Sequence, residues 1–264
     1  MELYRIVEGF GPRIVLVHGF TQTHVSWHEV ASDLARDHEV VAVDAPGHGQ
    51  SSLVCASLSQ AAALLGEAGG RAVYVGYSMG ARIALRLAID RPDLARGLVM
   101  IGGTAGIADA TERAGRRCSD EALGDRIEAD GVRKFLAEWM NQPMFSWLAH
   151  DPADQAARHR NTAAGLAASL RLAGTGTMDP PWWDQLSTIT APTLVLAGRR
   201  DQKFTALGQQ LAERIGPEAT FATIEGAGHA AHLEQPRVFI ETLRRFLASN
   251  DTDPAPLVDE ASSE

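Results

Sequence analysis

At 264 residues, with 45% hydrophobic and 22% charged side chains, the chain can bury one large core, and its balance excludes a fibrous or wholly disordered protein. A formal charge of −9 without a basic stripe argues against nucleic acid as a partner. It also means that an anionic substrate must be held by local arginines rather than drawn in by the overall field.

Glu2, Arg5 and Glu8 break up the first eight residues, and the apolar run at 14–17 is far too short for a signal peptide or a membrane span. A cytoplasmic protein without membrane insertion is therefore expected. Cys55 and Cys118 lie far apart with no ligand spacing, so reduced thiols are expected rather than a disulfide or a metal site. Apolar, β-branched runs recur at 14–17, 40–43, 72–75, 98–101, 193–197 and 220–224. Between them lie amphipathic patterns at 57–65, 81–89, 207–215 and 236–247. Strand-like runs of this kind separated by helices predict an α/β protein with a mostly parallel sheet flanked by helices. From Gly103 to about Leu186 the strands stop, and short helices are predicted at 111–118, 119–129, 132–140, 152–160 and 165–172. A helical cap inserted after a central strand accounts for this block. The expected organisation is a core of 1–103 and 187–248 with a cap of 104–186. The segment 249–264 carries two prolines and five carboxylates and no basic residue, which predicts a disordered acidic tail. Without it the body has a charge of −4. No oligomeric state is specified.

The chemistry-bearing residues fall where these strands end. Gly76-Tyr77-Ser78-Met79-Gly80 follows the run at 72–75 and precedes a helical pattern. Glycines on both sides allow a tight strand–turn–helix connection that lifts the Ser78 hydroxyl above the sheet edge. Asp201 follows the run at 193–197, and His229 follows that at 220–224 through Gly226-Ala227-Gly228. In open parallel sheets such positions gather at the carboxyl edge. Ser78, Asp201 and His229 are the expected triad, with His229 taking the Ser78 proton and Asp201 fixing its tautomer. The chain has nine histidines. His24, His28, His38, His150 and His159 fall on or beside helical patterns and are expected at the surface, while His232 lacks the glycine approach. An exposed turn aspartate is the alternative for Asp201, in its Arg199-Arg200-Asp201 run. His18-Gly19-Phe20 ends the first strong strand, so the Phe20 and Met79 N–H groups are the expected oxyanion donors. His48, in the Gly-rich turn after the next strand, is expected to be scaffold.

Arg82 lies one helical turn after Ser78, and Arg113, Arg116, Arg117, Arg158 and Arg160 lie in the cap. Convergence of several guanidinium forks over the serine implies a substrate with several carboxylates. With Asp120, Glu121 and Asp154 interspersed, a salt-bridged helical surface is the alternative.

The order Ser…Asp…His on a parallel sheet resembles the α/β-hydrolase superfamily from about residue 14 to 247. This resemblance implies the α/β-hydrolase fold and a serine nucleophile or base, though no single reaction. More narrowly, Gly76-Tyr77-Ser78-Met79-Gly80-Ala81-Arg82, Glu112-Arg113-Ala114-Gly115-Arg116 and Ser119-Asp120 resemble the 2-succinyl-6-hydroxy-2,4-cyclohexadiene-1-carboxylate synthases. So do Trp139 with Gln142-Pro143-Met144-Phe145, Arg160, Gly174-Thr175-Gly176, Trp182-Trp183 and Asp201-Gln202-Lys203-Phe204. Met140 stands where that family can carry a tyrosine. The resemblance implies a lyase of menaquinone biosynthesis that eliminates pyruvate from a small tricarboxylate without a cofactor. It further implies that Arg82, Arg116 and Arg160 grip the carboxylates while Tyr77 and Trp139 line the pocket. A serine hydrolase of carboxylated esters, lactones or C–C bonds uses the same triad, and a non-catalytic binding member of the fold is the remaining alternative.

Overall fold

Alternation along the apolar runs divides their side chains between the two faces of a single sheet. The computed structural model describes residues 1–149 and 151–250. Its strands are β1 (Arg5–Glu8), β2 (Arg13–Val17), β3 (Glu39–Val43), β4 (Ala72–Tyr77), β5 (Ala95–Ile101), β6 (Thr193–Gly198) and β7 (Ala219–Ile224). They are ordered β1-β3-β2-β4-β5-β6-β7, and every neighbouring pair is parallel except β1 with β3. All six expected strands are present. The seventh, β1, is a four-residue edge strand with no fully buried side chain, so it leaves no apolar pattern to read.

The α-helices in chain order are α1 (His28–Leu34), α2 (Leu58–Gly69), α3 (Met79–Asp90), α4 (Ala110–Asp130), α5 (Val132–Trp139), α6 (Pro152–Arg158), α7 (Ala163–Ala173), α8 (Gln202–Ile215), α9 (Ala231–Glu234) and α10 (Pro236–Ser249). On one face of the sheet, Ile14 and Leu16 of β2 meet Leu34 of α1 and Phe239 and Leu243 of α10. On the other, Val15 and Val17 join a cluster with Leu65 of α2, Ile83 of α3 and Leu211 of α8. Adjacent residues of one strand thus serve opposite layers, as the period of two requires.

The segment between β5 and β6 is helical. Residues 111–118 and 119–129, expected as two helices, form the single helix α4, capped by the Asp109 side chain on the Glu112 N–H. The expected break between 118 and 119 does not occur, because α4 is held laterally on α7, where Arg171 bonds Asp125 at 2.6 Å and Glu128 at 2.8 Å. Ile127, Phe135, Leu136, Leu166 and Leu170 form a small core of their own, against which Phe20 and Trp139 pack. Trp182 is buried in the main core beneath the Arg86 guanidinium, and the Trp183 indole N–H donates to the Gly106 carbonyl at 3.0 Å. Both tryptophans are packing residues. Among the described residues no helix is long and apolar enough to cross a membrane. The tail expected at 249–264 begins within α10 at Ser249, and its carboxylates, like His150, lie outside the described residues.

Candidate active site

The connection after β2 runs to β3 on one side, whereas that after β4 runs to β5 on the other. This reversal opens a crevice beyond the carboxyl ends of β2 and β4, where ligands bind in open α/β sheets. Ser78 stands there, between β4 and α3, with φ 51° and its N–H bonded to the Ile101 carbonyl at 2.8 Å. A left-handed serine is unfavourable, and it persists because strand and helix fix both of its neighbours. Gly80 makes this packing possible, since a Cβ at that position would meet the Val17 carbonyl oxygen.

The His229 Nδ1 lies 2.7 Å from Asp201 Oδ2, and its Nε2 lies 3.2 Å from Ser78 Oγ. The imidazole is thus oriented to donate from Nδ1 to the carboxylate and to accept the serine proton at Nε2. Asp201 Oδ1 accepts from the Phe204 N–H, which anchors the carboxylate at the start of α8. The alternative of an exposed turn aspartate for Asp201 gives way to this geometry.

In the loop after β2, three N–H groups are held. The Gly19 N–H donates to Gln22 Oε1 at 2.8 Å, the Thr21 N–H to His48 Nε2 at 3.2 Å, and the Gln22 N–H to the Gly19 carbonyl. Among the described residues the Phe20 N–H has no partner, and neither has that of Met79 at the first position of α3. His48, expected as scaffold, and His18 are both held neutral. His48 bonds the Pro46 carbonyl through Nδ1, and His18 takes the Ala45 N–H on Nε2 and bonds the Gly19 carbonyl through Nδ1. Burial pushes His18 down to about 4 and His48 down to about 3. Of the histidines expected at the surface, His28 and His159 are exposed, while His24 is partly buried against Asp44 and His38 lies beside Asp37.

A cavity of about 580 Å³ lies over the serine, with Phe20, Tyr77, Met79 and Trp139 in its wall. The Trp139 indole N–H is buried there without a hydrogen-bond partner among the described residues, and burial raises the Tyr77 phenol far above its ordinary value. Three guanidinium groups also line it: Arg82, Arg116 and Arg158. Arg82 is buried and donates from Nη1 to the Ala173 carbonyl at 2.8 Å. Burial, with Arg116 nearby, lowers it to about 10, so it stays cationic at neutral pH. Arg116 uses its Nε for Asp120 at 2.8 Å, which leaves both terminal nitrogens free of that pair. Arg158 gives Nε to Asp154 at 2.6 Å and Nη1 to the Thr21 hydroxyl at 2.7 Å.

Arg160 departs from expectation. It is exposed, and it is not part of the cavity wall. Arg158, the last residue of α6, lines the cavity instead. Arg113 is committed to the Ile107 carbonyl and Asp179. The salt bridges of the alternative reading do form and both lie at the cavity, Arg158–Asp154 buried and Arg116–Asp120 with its guanidinium half open to solvent. Lys203, quoted in the motif around Asp201 without a role, also lines the cavity. Gln22 and Thr21, whose hydrogen bonds hold the loop after β2, carry no sequence signal of their own.

Residues 14–242 match the alpha/beta hydrolase family. The 2-succinyl-6-hydroxy-2,4-cyclohexadiene-1-carboxylate synthase of Serratia proteamaculans is 34% identical over 247 residues, 90% of this chain and 94% of that protein. The chain belongs to this family of synthases within the α/β hydrolases. MenH from S. aureus superposes with a TM-score of 0.85 at 27% identity, covering 93% of this chain and 98% of that one. A thermophilic esterase from Thermogutta terrifontis, solved with malate bound, gives 0.80 at 25% identity over 95% of this chain and 94% of its own. The likeness spans 90% of this chain and so takes in the helical segment between β5 and β6 as well as the sheet.

Proposed function

We propose that the chain is a lyase of menaquinone biosynthesis, eliminating pyruvate from a tricarboxylate to give 2-succinyl-6-hydroxy-2,4-cyclohexadiene-1-carboxylate. One observation carries the assignment of roles: Arg82, Arg116 and Arg158 line the same cavity as the Ser78–His229–Asp201 triad. The three guanidinium groups in one cavity match the three carboxylates of the substrate, which end up as two on the ring product and one on pyruvate. In this scheme Ser78 Oγ removes the ring proton at C2 and passes its own proton to His229 Nε2. Electrons move through the ring as the C–O bond at C5 breaks, and the departing enolate is protonated to pyruvate. An unaided serine is far too weak a base, so the imidazole and its aspartate are required. The Phe20 and Met79 N–H groups are directed at negative charge developing on the succinyl carbonyl. Two exposed free cysteines, Cys55 and Cys118, suit a reducing, cytoplasmic setting.

The test is pyruvate release from the enzymatically generated precursor. Ser78→Ala is expected to lower kcat by about 10³-fold or more while leaving substrate binding in place, in line with loss of a triad member. Near-normal release by that variant would refute the mechanism. The likeness to the esterase with malate bound supports a second reading, hydrolysis of carboxylated esters. It requires an acyl-Ser78 intermediate and incorporation of solvent oxygen into the product, neither of which elimination produces.

A further inference from the structure

Thr21 has φ 70°, a conformation that is strained for a β-branched residue and costs of order 1–3 kcal/mol. All three of its polar groups are held. Its N–H donates to His48 Nε2, its hydroxyl accepts from Arg158 Nη1, and its carbonyl accepts from Asn161 Nδ2 at 2.7 Å. Two of these partners belong to the helical segment, and Asn161 is itself clamped, its Oδ1 accepting the Gly49 N–H at 2.8 Å. Asn161 is 5% exposed and does not line the cavity. The Phe20 N–H lies in the Gly19–Phe20 peptide, one residue before the strained Thr21, and among the described residues it is a donor without a partner.

We infer that Asn161 is a positioning residue for catalysis: by holding the Thr21 carbonyl it keeps the left-handed turn that aims the Phe20 N–H at the developing oxyanion. Release of that carbonyl lets Thr21 relax toward negative φ, which rotates the loop and turns the donor away. The helical segment therefore does more than cover the cavity, because the stretch bearing the carboxylate-facing Arg158 also fixes half of the oxyanion hole. The effect on turnover rests on the lyase reading, whereas the effect on Ser78 reactivity does not.

Asn161→Asp isolates the contact. It retains an acceptor for the Gly49 N–H and loses the donor to Thr21. Pyruvate release is expected to show kcat lowered about ten- to hundredfold, the range for a displaced catalytic group or a lost oxyanion donor, with KM within about twofold. Acylation of Ser78 by p-nitrophenyl acetate, which needs the same oxyanion hole, is expected to slow by a similar factor. In a Thr21→Gly background, where glycine adopts positive φ without strain, the same substitution is expected to cost less than about threefold. Thermal unfolding of all four proteins checks that each is folded at the assay temperature. Equal losses in both backgrounds, or a rise in KM alone, would overturn the proposal and reduce Asn161 to an anchor of the helical segment. Absence of pyruvate release from the unmodified protein would count against the lyase reading, and the acylation rates would still decide the role of Asn161.

Discussion

Arg158 and Arg160 stand two positions apart and occupy opposite environments. Arg158 is 2% exposed, with Asp154 and Thr21 as partners, while Arg160 projects to solvent. Removing Arg158 outright would leave Asp154 buried and unpaired, at a cost of about 3–5 kcal/mol. Arg158→Lys keeps the charge and loses the planar fork, so it is expected to fold and to raise KM about tenfold, the size of one lost charge-assisted hydrogen bond. Arg160→Ala is expected to change KM by less than about twofold, as for a surface substitution. Steady-state pyruvate release by the two variants separates the positions, and the reverse pattern would restore Arg160 as the carboxylate ligand. The triad was legible in the sequence because the glycine-flanked serine and the strand-end positions of Asp201 and His229 constrain geometry directly. The arginine pair was not. An Asp154-x-x-x-Arg158 spacing reads the same on a solvated helix as on one turned inward, and only the end of α6 decides which side chain faces the cavity.

At the scale of elements, glycine has opposite meanings in α3 and α4. Gly80 lies where the nucleophile helix crosses the end of β2, and its missing Cβ admits the Val17 and His18 carbonyl groups. Gly115 lies in the exposed middle of α4, with nothing within 4 Å of where a Cβ would be. Gly115→Ala is therefore expected to stabilise the protein by about 0.5–1 kcal/mol through helix propensity, with pyruvate release unchanged. Gly80→Ala is expected to destabilise it by about 1–3 kcal/mol through overpacking and to slow turnover by shifting the adjacent Met79 N–H. Urea unfolding read beside activity tests both, and a stabilised Gly80→Ala would contradict the close approach. The buried strands were readable because both of their faces are apolar. The continuity of α4 was not, since its low apolar content gives no phase across the expected break between 118 and 119 and the helix is fixed by its contacts with α7. The edge strand β1 was missed for a related reason: it is defined by pairing with β3 rather than by burial.

Across the whole molecule, three buried histidines tie stability to pH. His18, His48 and His232 are each fully buried, and burial lowers them to about 4, about 3 and about 3 respectively. Arg158 and His229 add to the effect at His232, and His18 adds to that at His48. These folded values lie below the ordinary 6.5, so on acidification the unfolded chain takes up these protons first. The stability they contribute is complete above about pH 6.5 and is lost as pH falls toward 3–4. Each group supplies a slope approaching about 1.4 kcal/mol per pH unit in that window. His232 separates this contribution from that of the carboxylates. It packs between Trp27 and Tyr77, at ring distances of 4.3 and 4.5 Å, and neither of its nitrogens has a hydrogen-bond partner among the described residues. Its replacement by leucine, of similar volume, sacrifices no hydrogen bond to a described residue and removes one titrating site. Denaturant unfolding of His232→Leu at pH 7.5 and pH 5 is expected to give a smaller loss on acidification than the unmodified protein, by about 1–2 kcal/mol over the part of the window spanned. The carboxylates are common to both proteins and cancel in the comparison. Equal losses would mean that His232 is already protonated in the folded protein near pH 5, and the packing of an uncharged imidazole between Trp27 and Tyr77 would have to be abandoned.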